Sequence, residues 1–361
     1  MSIGPLGENL VFLVSQPRAG STLLQRMLAA HGKVATASEP WVMLHPLYAR
    51  RAEGHTAEYN ATLAHDALRE FLATTPGVHD DWNEGLRRMH AYLYDRALTA
   101  KPGATHFVDK TPRYYLILPE LVEVFPAATF VILLRNPLAV LCSLITTWAY
   151  GGRLHHLSRW VQDLNDGPRM LLEGAEAAGS RAVTVRYEEM LADPEPVLRR
   201  IGEKAGLDYD PAMIEYGRAT LPRWAFGDTK KVYGGDGRPD AQNAERWMEE
   251  MKDPQMWRLA SEYLSALDPR VLTRMGYDPQ RLRAELDARR PTKGWVWTRS
   301  MKWLSTPAPA KLRTAKHGVI RFCHLAGREG PGRAVKMAFR KGLRGACEAT
   351  TPEKLSNKGS T

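Results

Sequence analysis

The sequence predicts an α/β fold, a three-layer sandwich around a mostly parallel sheet, and three observations lead there. Short apolar runs at Leu10–Ser15, Thr105–Asp109, Ala128–Leu134 and Ala182–Arg186 suggest the strands of a parallel sheet. Stretches with helical spacing lie between them, and parallel strands need such crossovers. The chain has 361 residues, of which 44% are hydrophobic and 25% charged, enough to build a large core.

The first strand runs into Ser15-Gln16-Pro17-Arg18-Ala19-Gly20-Ser21-Thr22, and a helix is expected from about Thr22 to Ala30. Gly20 lets the backbone approach an anion, Ser21 and Thr22 offer hydroxyls, and the helix start presents unpaired N–H groups and a positive dipole end. The sandwich is therefore of the P-loop type. No lysine follows Gly20, although G-x-x-x-x-G-K-[ST] requires one, and this weighs against ordinary ATP or GTP hydrolysis.

After a turn around His31 and Gly32, Ser38-Glu39-Pro40-Trp41 returns the chain toward that loop. Residues 41–100 form a helical insertion, with helices expected over Asn60–Ala73 and Trp82–Ala100, too long for a simple crossover. The next strand ends in Asp109-Lys110-Thr111-Pro112-Arg113, placing a cation at the strand edge where ligands gather in open α/β sheets. Asp109 has the look of a Walker-B acid, but no Walker-A lysine accompanies it.

Helices are expected over Leu116–Val124, Leu138–Trp148, Arg159–Ala178 and Val197–Ala205, with Pro112, Pro137 and Pro196 near starts, where proline is tolerated. Arg135 closes the third strand, and Ser143 lies about two helical turns further on, so both can converge on one anion. Tyr187 follows the last strand. Residues 225–243 are rich in Gly, Lys and Asp and read as a loop carrying Lys230 and Lys231, before a helix with Trp247.

The formal charge of +10 is unevenly placed. From Pro291 onward there are fifteen lysines and arginines against three acids, so residues 1–290 are nearly neutral and a basic extension spans 291–361. Trp295, Trp297 and Trp303 sit among its cations, and Val335, Phe339 and Leu343 space an apolar face. Such a segment suits an anionic membrane surface or an acidic partner, and equally a solvated face; it carries no specific nucleic-acid motif.

No apolar run reaches the roughly 18 residues of a membrane span, and no basic segment with an apolar h-region opens the chain. The cysteines, Cys142, Cys323 and Cys347, form neither a metal-ligand spacing nor a disulfide framework. A cytoplasmic location is expected, with peripheral membrane contact through the extension as an open addition. Cys142 is expected in the core.

Taken together, the loop at Pro17-Arg18-Ala19-Gly20-Ser21-Thr22 and the segment Val131–Pro137, with Ser143 eight positions after Arg135, resemble the sulfotransferases that use 3′-phosphoadenosine 5′-phosphosulfate (PAPS). Glu39 extends the resemblance to the tyrosylprotein sulfotransferase branch and its bacterial relatives. It covers roughly residues 8–275.

The resemblance implies that Arg18, Ala19, Gly20, Ser21 and Thr22 hold the 5′-phosphosulfate, and that Arg135 and Ser143 hold the 3′-phosphate. Tyr187 and Lys231, or its neighbour Lys230, would contact the nucleotide. Glu39 would be the general base, and Lys110 with Arg18 would stabilise the transferred group and the departing phosphate. No metal is required. Residues 1–290 would be the catalytic domain, with 41–100 on the acceptor side, and the acceptor would be a hydroxyl of a glycan, lipid, tyrosine or small metabolite. The product would be adenosine 3′,5′-bisphosphate (PAP).

Each residue also has a plainer reading. A Gly-Ser-Thr turn caps helices, strand-end arginines make ion pairs, and Glu39 can be a surface carboxylate. Tyr187 can pack at a junction, and Lys230 and Lys231 can be solvated. His31, His45 and His106 are alternative bases without a visible partner. Two other functions stay open, a P-loop kinase-like phosphotransferase and a non-catalytic membrane- or polyanion-binding protein on the same fold.

Overall fold

The computed structural model describes residues 2–74, 78–148, 157, 159–218 and 237–292. Lys230, Lys231 and nearly all of the basic extension lie outside these residues. In the described part, five parallel strands form one sheet in the order β2-β3-β1-β4-β5. They are β1 (Leu10–Ser15), β2 (Val34–Ser38), β3 (His106–Lys110), β4 (Thr129–Leu134) and β5 (Ala182–Arg186). The fold is a three-layer α/β sandwich of the P-loop type.

Alternate residues of the strands supply the two faces. Leu10, Phe12, Val14, Phe107, Phe130 and Ile132 pack on one side, against α4 (Val78–Leu98), α5 (Leu118–Val124) and α8 (Gly167–Ala178). Val11, Leu13, Val108, Val131, Leu133 and Val185 pack on the other. That face is covered by α1 (Ser21–Ala30), α9 (Tyr187–Ala192) and α10 (Pro194–Ala205). Every residue of β1 and β4 is buried, which explains their unbroken apolar sequence.

A third cluster lies beyond the sheet edge. There α6 (Pro137–Trp148) packs with residues of α11 (Trp247–Glu250), α12 (Pro254–Ala266), α13 (Pro269–Arg274) and α14 (Pro279–Asp287). Cys142 is fully buried in this cluster, and burial pushes its thiol far up. It is inert packing.

Several expected elements differ. The strand Val34–Ser38 escaped prediction because Val-Ala-Thr-Ala-Ser is short and weakly apolar, yet it pairs with β3 along its whole length. The single helix expected over Arg159–Ala178 is two, α7 (Val161–Asn165) and α8, broken before Gly167-Pro168, since Pro168 has no N–H to give the Leu164 carbonyl, which accepts from Tyr263 Oη instead. The helix expected from Val197 starts at Pro194, where Pro suits the first turn. The insertion holds α2 (Leu44–Tyr48), α3 (Ala61–Ala73) and α4. Asn60 is the N-cap of α3, its side chain accepting from Leu63 N. α3 has no buried residue, and Leu63 and Phe71 stand exposed on it.

Candidate active site

Because all five strands run the same way, their C-terminal ends share one edge. Each end hands the chain to a residue singled out from the sequence: β1 to the Arg18–Thr22 loop, β2 to Glu39, β3 to Lys110, β4 to Arg135 and β5 to Tyr187. Ligands of open parallel sheets gather at this edge.

The loop between β1 and α1 has two residues in left-handed backbone, Arg18 at φ 69° and Gly20 at φ 98°. Gly20 is the N-cap of α1 and has no side chain to occupy its first N–H groups, which leaves them for a ligand. A Cβ at position 20 would lie 2.4 Å from the Tyr187 ring. Glycine is thus required twice, by conformation and by space.

Arg18 Nε donates to Ser143 Oγ at 3.2 Å, and its guanidinium lies 5.3 Å from the centre of the Trp148 ring. Arg135 Nη1 donates to the Arg18 carbonyl at 2.9 Å, and the Arg135 guanidinium covers the Tyr187 ring at 4.2 Å. The residues expected to hold opposite ends of a doubly phosphorylated nucleotide are therefore one connected cluster on two adjoining strand ends. Arg135 Nε is buried and has no hydrogen-bond partner among the described residues, an orphaned donor that an anionic ligand would satisfy. Burial raises the pKa of Tyr187, so its hydroxyl stays neutral. The donor set therefore fits a phosphorylated ligand.

Beside this cluster, Lys110 Nζ donates to Glu39 Oε1 at 3.0 Å. Glu39 N donates to the Lys110 carbonyl at 2.8 Å, extending the β2–β3 ladder by one bond. The Lys110 side chain is fully buried while that of Glu39 is 19% exposed, so the carboxylate stands above its cation and can be reached from solvent. Lys110 is its charged partner, and Trp41 packs on the apolar cluster next to it.

The neighbouring residue faces the opposite way. Asp109 is fully buried and accepts from Tyr94 Oη at 2.7 Å, Thr111 Oγ1 at 2.7 Å and Tyr114 Oη at 3.0 Å. Burial pushes its carboxyl up to about 6, against the lowering effect of these donors. It points away from the rim into the aromatic core, not toward a magnesium site.

Arg113 forms a bidentate pair with Asp163 at 2.9 and 2.7 Å. Burial opposes its charge, but the bonds to Asp163 outweigh this and its pKa is raised. Its guanidinium lies over the rings of Trp41 and Trp160, and Trp160 stacks on Trp148 at 4.1 Å. An aromatic and cationic wall thus runs from Arg18 to the Glu39 turn.

The histidines stand elsewhere. His106 pairs with Val34 at the opposite edge of the sheet. Its Nε2 lies 2.9 Å from the Ala205 carbonyl, and burial lowers its pKa. His31 ends α1 at that same edge and accepts from Lys33 N, while His45 is exposed on α2. Asp163, Tyr94, Tyr114, Trp148 and Trp160 were missed from the sequence. Only the apolar company of Asp109 and the Tyr114-Tyr115 pair hinted at them.

Residues 11–211 match the family model described as Sulfotransferase family. The nodulation protein NoeE of Sinorhizobium fredii is 29% identical over 294 residues, which cover 74% of this chain and 66% of that protein. A putative protein-tyrosine sulfotransferase of Caenorhabditis briggsae is 25% identical over 226 residues, covering 58% of this chain and 69% of that one. The chain thus spans about two thirds of the length of these relatives. Among solved structures, the sulfotransferase domain from the Synechococcus PCC 7002 olefin synthase aligns at a TM-score of 0.44 and 22% identity, covering 66% of this chain and 86% of that domain. With more than half of its residues inside the family match and its strand ends carrying the loop, Glu39, Lys110 and Arg135, the chain belongs to the sulfotransferase family.

Proposed function

We propose that this protein transfers a sulfuryl group from PAPS to a hydroxyl acceptor, with Glu39 as general base. One arrangement carries the reading: the Lys110–Glu39 pair stands on the same rim as the Arg18, Ser143 and Arg135 cluster. A base, a buried cation and a phosphate-binding set side by side are what in-line group transfer needs.

Gly20, Ser21, Thr22 and the start of α1 hold the 5′ end of the nucleotide. Arg135 and Ser143 hold the 3′-phosphate, and Tyr187 fixes Arg135 from below. Bound PAPS supplies an activated sulfuryl group on a phosphate leaving group. Lys110 engages Glu39 Oε1, so Oε2 takes the proton of the acceptor hydroxyl as that oxygen attacks. Lys110 and Arg18 face the charge that gathers on the transferred group and on the departing phosphate. The acceptor enters from the side of the 41–100 insertion and the Trp41, Trp160 and Trp148 wall. Any membrane or acidic-partner role of residues 291–361 stays a sequence expectation, because nearly all of that segment lies outside the described residues.

Incubation with labelled PAPS and a panel of hydroxyl acceptors tests the reaction. Glu39→Gln should lower turnover by about 10² or more, the scale of a lost general base, with PAP affinity unchanged. Full turnover in that variant removes Glu39 from the mechanism. Stronger thermal protection by Mg-ATP than by PAP would instead favour phosphotransfer.

A further inference from the structure

Glu39 and Trp41 sit in left-handed backbone, at φ 54° and 57°, with Pro40 between them. Residues with a Cβ hold such angles only where their surroundings force them to. Here the turn is fastened at both ends. Glu39 N donates to the Lys110 carbonyl at 2.8 Å, and Met43 N donates to Tyr114 Oη at 3.2 Å.

Both fasteners lead to one segment. Tyr114 Oη passes its own hydrogen to Asp109 Oδ2 at 3.0 Å, and Thr111 Oγ1 binds Asp109 Oδ1 at 2.7 Å, folding the 109–114 turn onto the same carboxyl. Tyr94 brings α4 of the insertion to Asp109 Oδ2 at 2.7 Å. Asp109 and Tyr114 are both fully buried beneath the rim. An apolar core needs no carboxyl at this place, and burying one is costly unless it is bonded. Its bond to Tyr114, which in turn accepts from Met43 N, links the segment carrying Lys110 to the segment carrying Glu39.

We propose that Asp109 and Tyr114 are positioning residues that hold the strained Glu39 turn against Lys110, so that the base stands at a fixed place on the rim. The inference rests on the assignment of Glu39 as base. Both residues act through Met43 and the 110–114 turn rather than on the reacting atoms.

Tyr114→Phe removes the hydroxyl while leaving a ring to pack against Phe12, whose centroid is 6.1 Å away. Hydrogen exchange over residues 39–44, read by mass spectrometry, should rise at least tenfold while β1 stays protected. Turnover should fall at least fivefold, with PAP affinity within twofold of the wild type. In the Glu39→Gln background the same change should cost no more than a further twofold, since its effect runs through Glu39.

Unchanged exchange at 39–44 overturns the tether, whatever the role of Glu39. Unchanged turnover, or an equal loss in both backgrounds, overturns the positioning role. Full activity of Glu39→Gln alone would sink the base assignment, and the exchange result would still judge the tether. If Tyr114→Phe does not fold, Asp109→Asn carries the same three readouts with the same expected directions.

Discussion

Replacing Gly20 by alanine is the most direct perturbation of the anion loop. At φ 98° an alanine is held in left-handed backbone, at about 1–2 kcal/mol. Its Cβ would also stand 2.4 Å from both Cδ2 and Cε2 of Tyr187. That ring is buried and pinned between Gly20 and the Arg135 guanidinium 4.2 Å above it, so it cannot yield freely, and overpacking of this kind costs about 1–3 kcal/mol. Together the two terms predict a loss of about 2–5 kcal/mol in urea unfolding. Pushing the ring aside also moves Arg135 off the Arg18 carbonyl, so PAP binding by calorimetry should weaken at least tenfold. Adding Tyr187→Ala removes the overlap but not the backbone strain, so the two changes should be non-additive by about 1–3 kcal/mol. Wild-type stability of Gly20→Ala, or strict additivity in the double variant, would refute the argument.

Further expectations follow from the buried charges. The carboxyl of Asp109 titrates at about 6 in the fold against 3.8 unexposed to it. The fold therefore binds the extra proton, and this stability is complete below about pH 4 and lost as pH rises through 6, about 3 kcal/mol in all. Asp109→Asn, which carries no such titration, should gain on the wild type across that window in urea melts; a pH-independent difference would contradict the assigned cause. Arg113→Ala leaves Asp163 buried with Tyr115 as its remaining side-chain donor among the described contacts, so unfolding should cost about 3–5 kcal/mol less. Adding Asp163→Asn should restore part of that loss, and no restoration would mean that packing alone was removed. Ser143→Ala removes the hydroxyl that accepts from Arg18 Nε, and the PAP dissociation constant should rise with little change in turnover at saturation; a selective loss of turnover would move Ser143 from nucleotide binding to chemistry.

Much of the architecture was legible because parallel strands buried on both faces leave an unmistakable apolar run, as in Val131–Leu134. The strand Val34–Ser38 was not, since alanine, threonine and serine carry no periodic signal and only its pairing with β3 makes it a strand. The loop at Arg18–Thr22 and Arg135 with Ser143 could be named because each follows a legible strand at a spacing that resembles a known family, and Glu39 because of its distance after the loop arginine, although its own strand was not visible. What spacing could not show was contact. Nothing in the order of residues says that Arg18 bonds Ser143 across 125 positions, or that a core tyrosine holds the backbone amide of Met43. Buried polar networks are written in three dimensions, and their members look like ordinary core or loop residues in one.

The placement of β2 at the border of the sheet has an evolutionary corollary. The chain leaves that border for residues 41–100 and rejoins at β3; α4 of this stretch is built into the core through Leu86, Tyr94 and Leu98, whereas α3 buries no residue, so α3 can lengthen, shrink or be exchanged without disturbing the sheet. On the proposed function, nucleotide binding at the strand ends and acceptor choice by this outer helix would be separable. Grafting the α3 segment of a relative onto this scaffold should redirect selectivity while leaving PAP affinity unchanged.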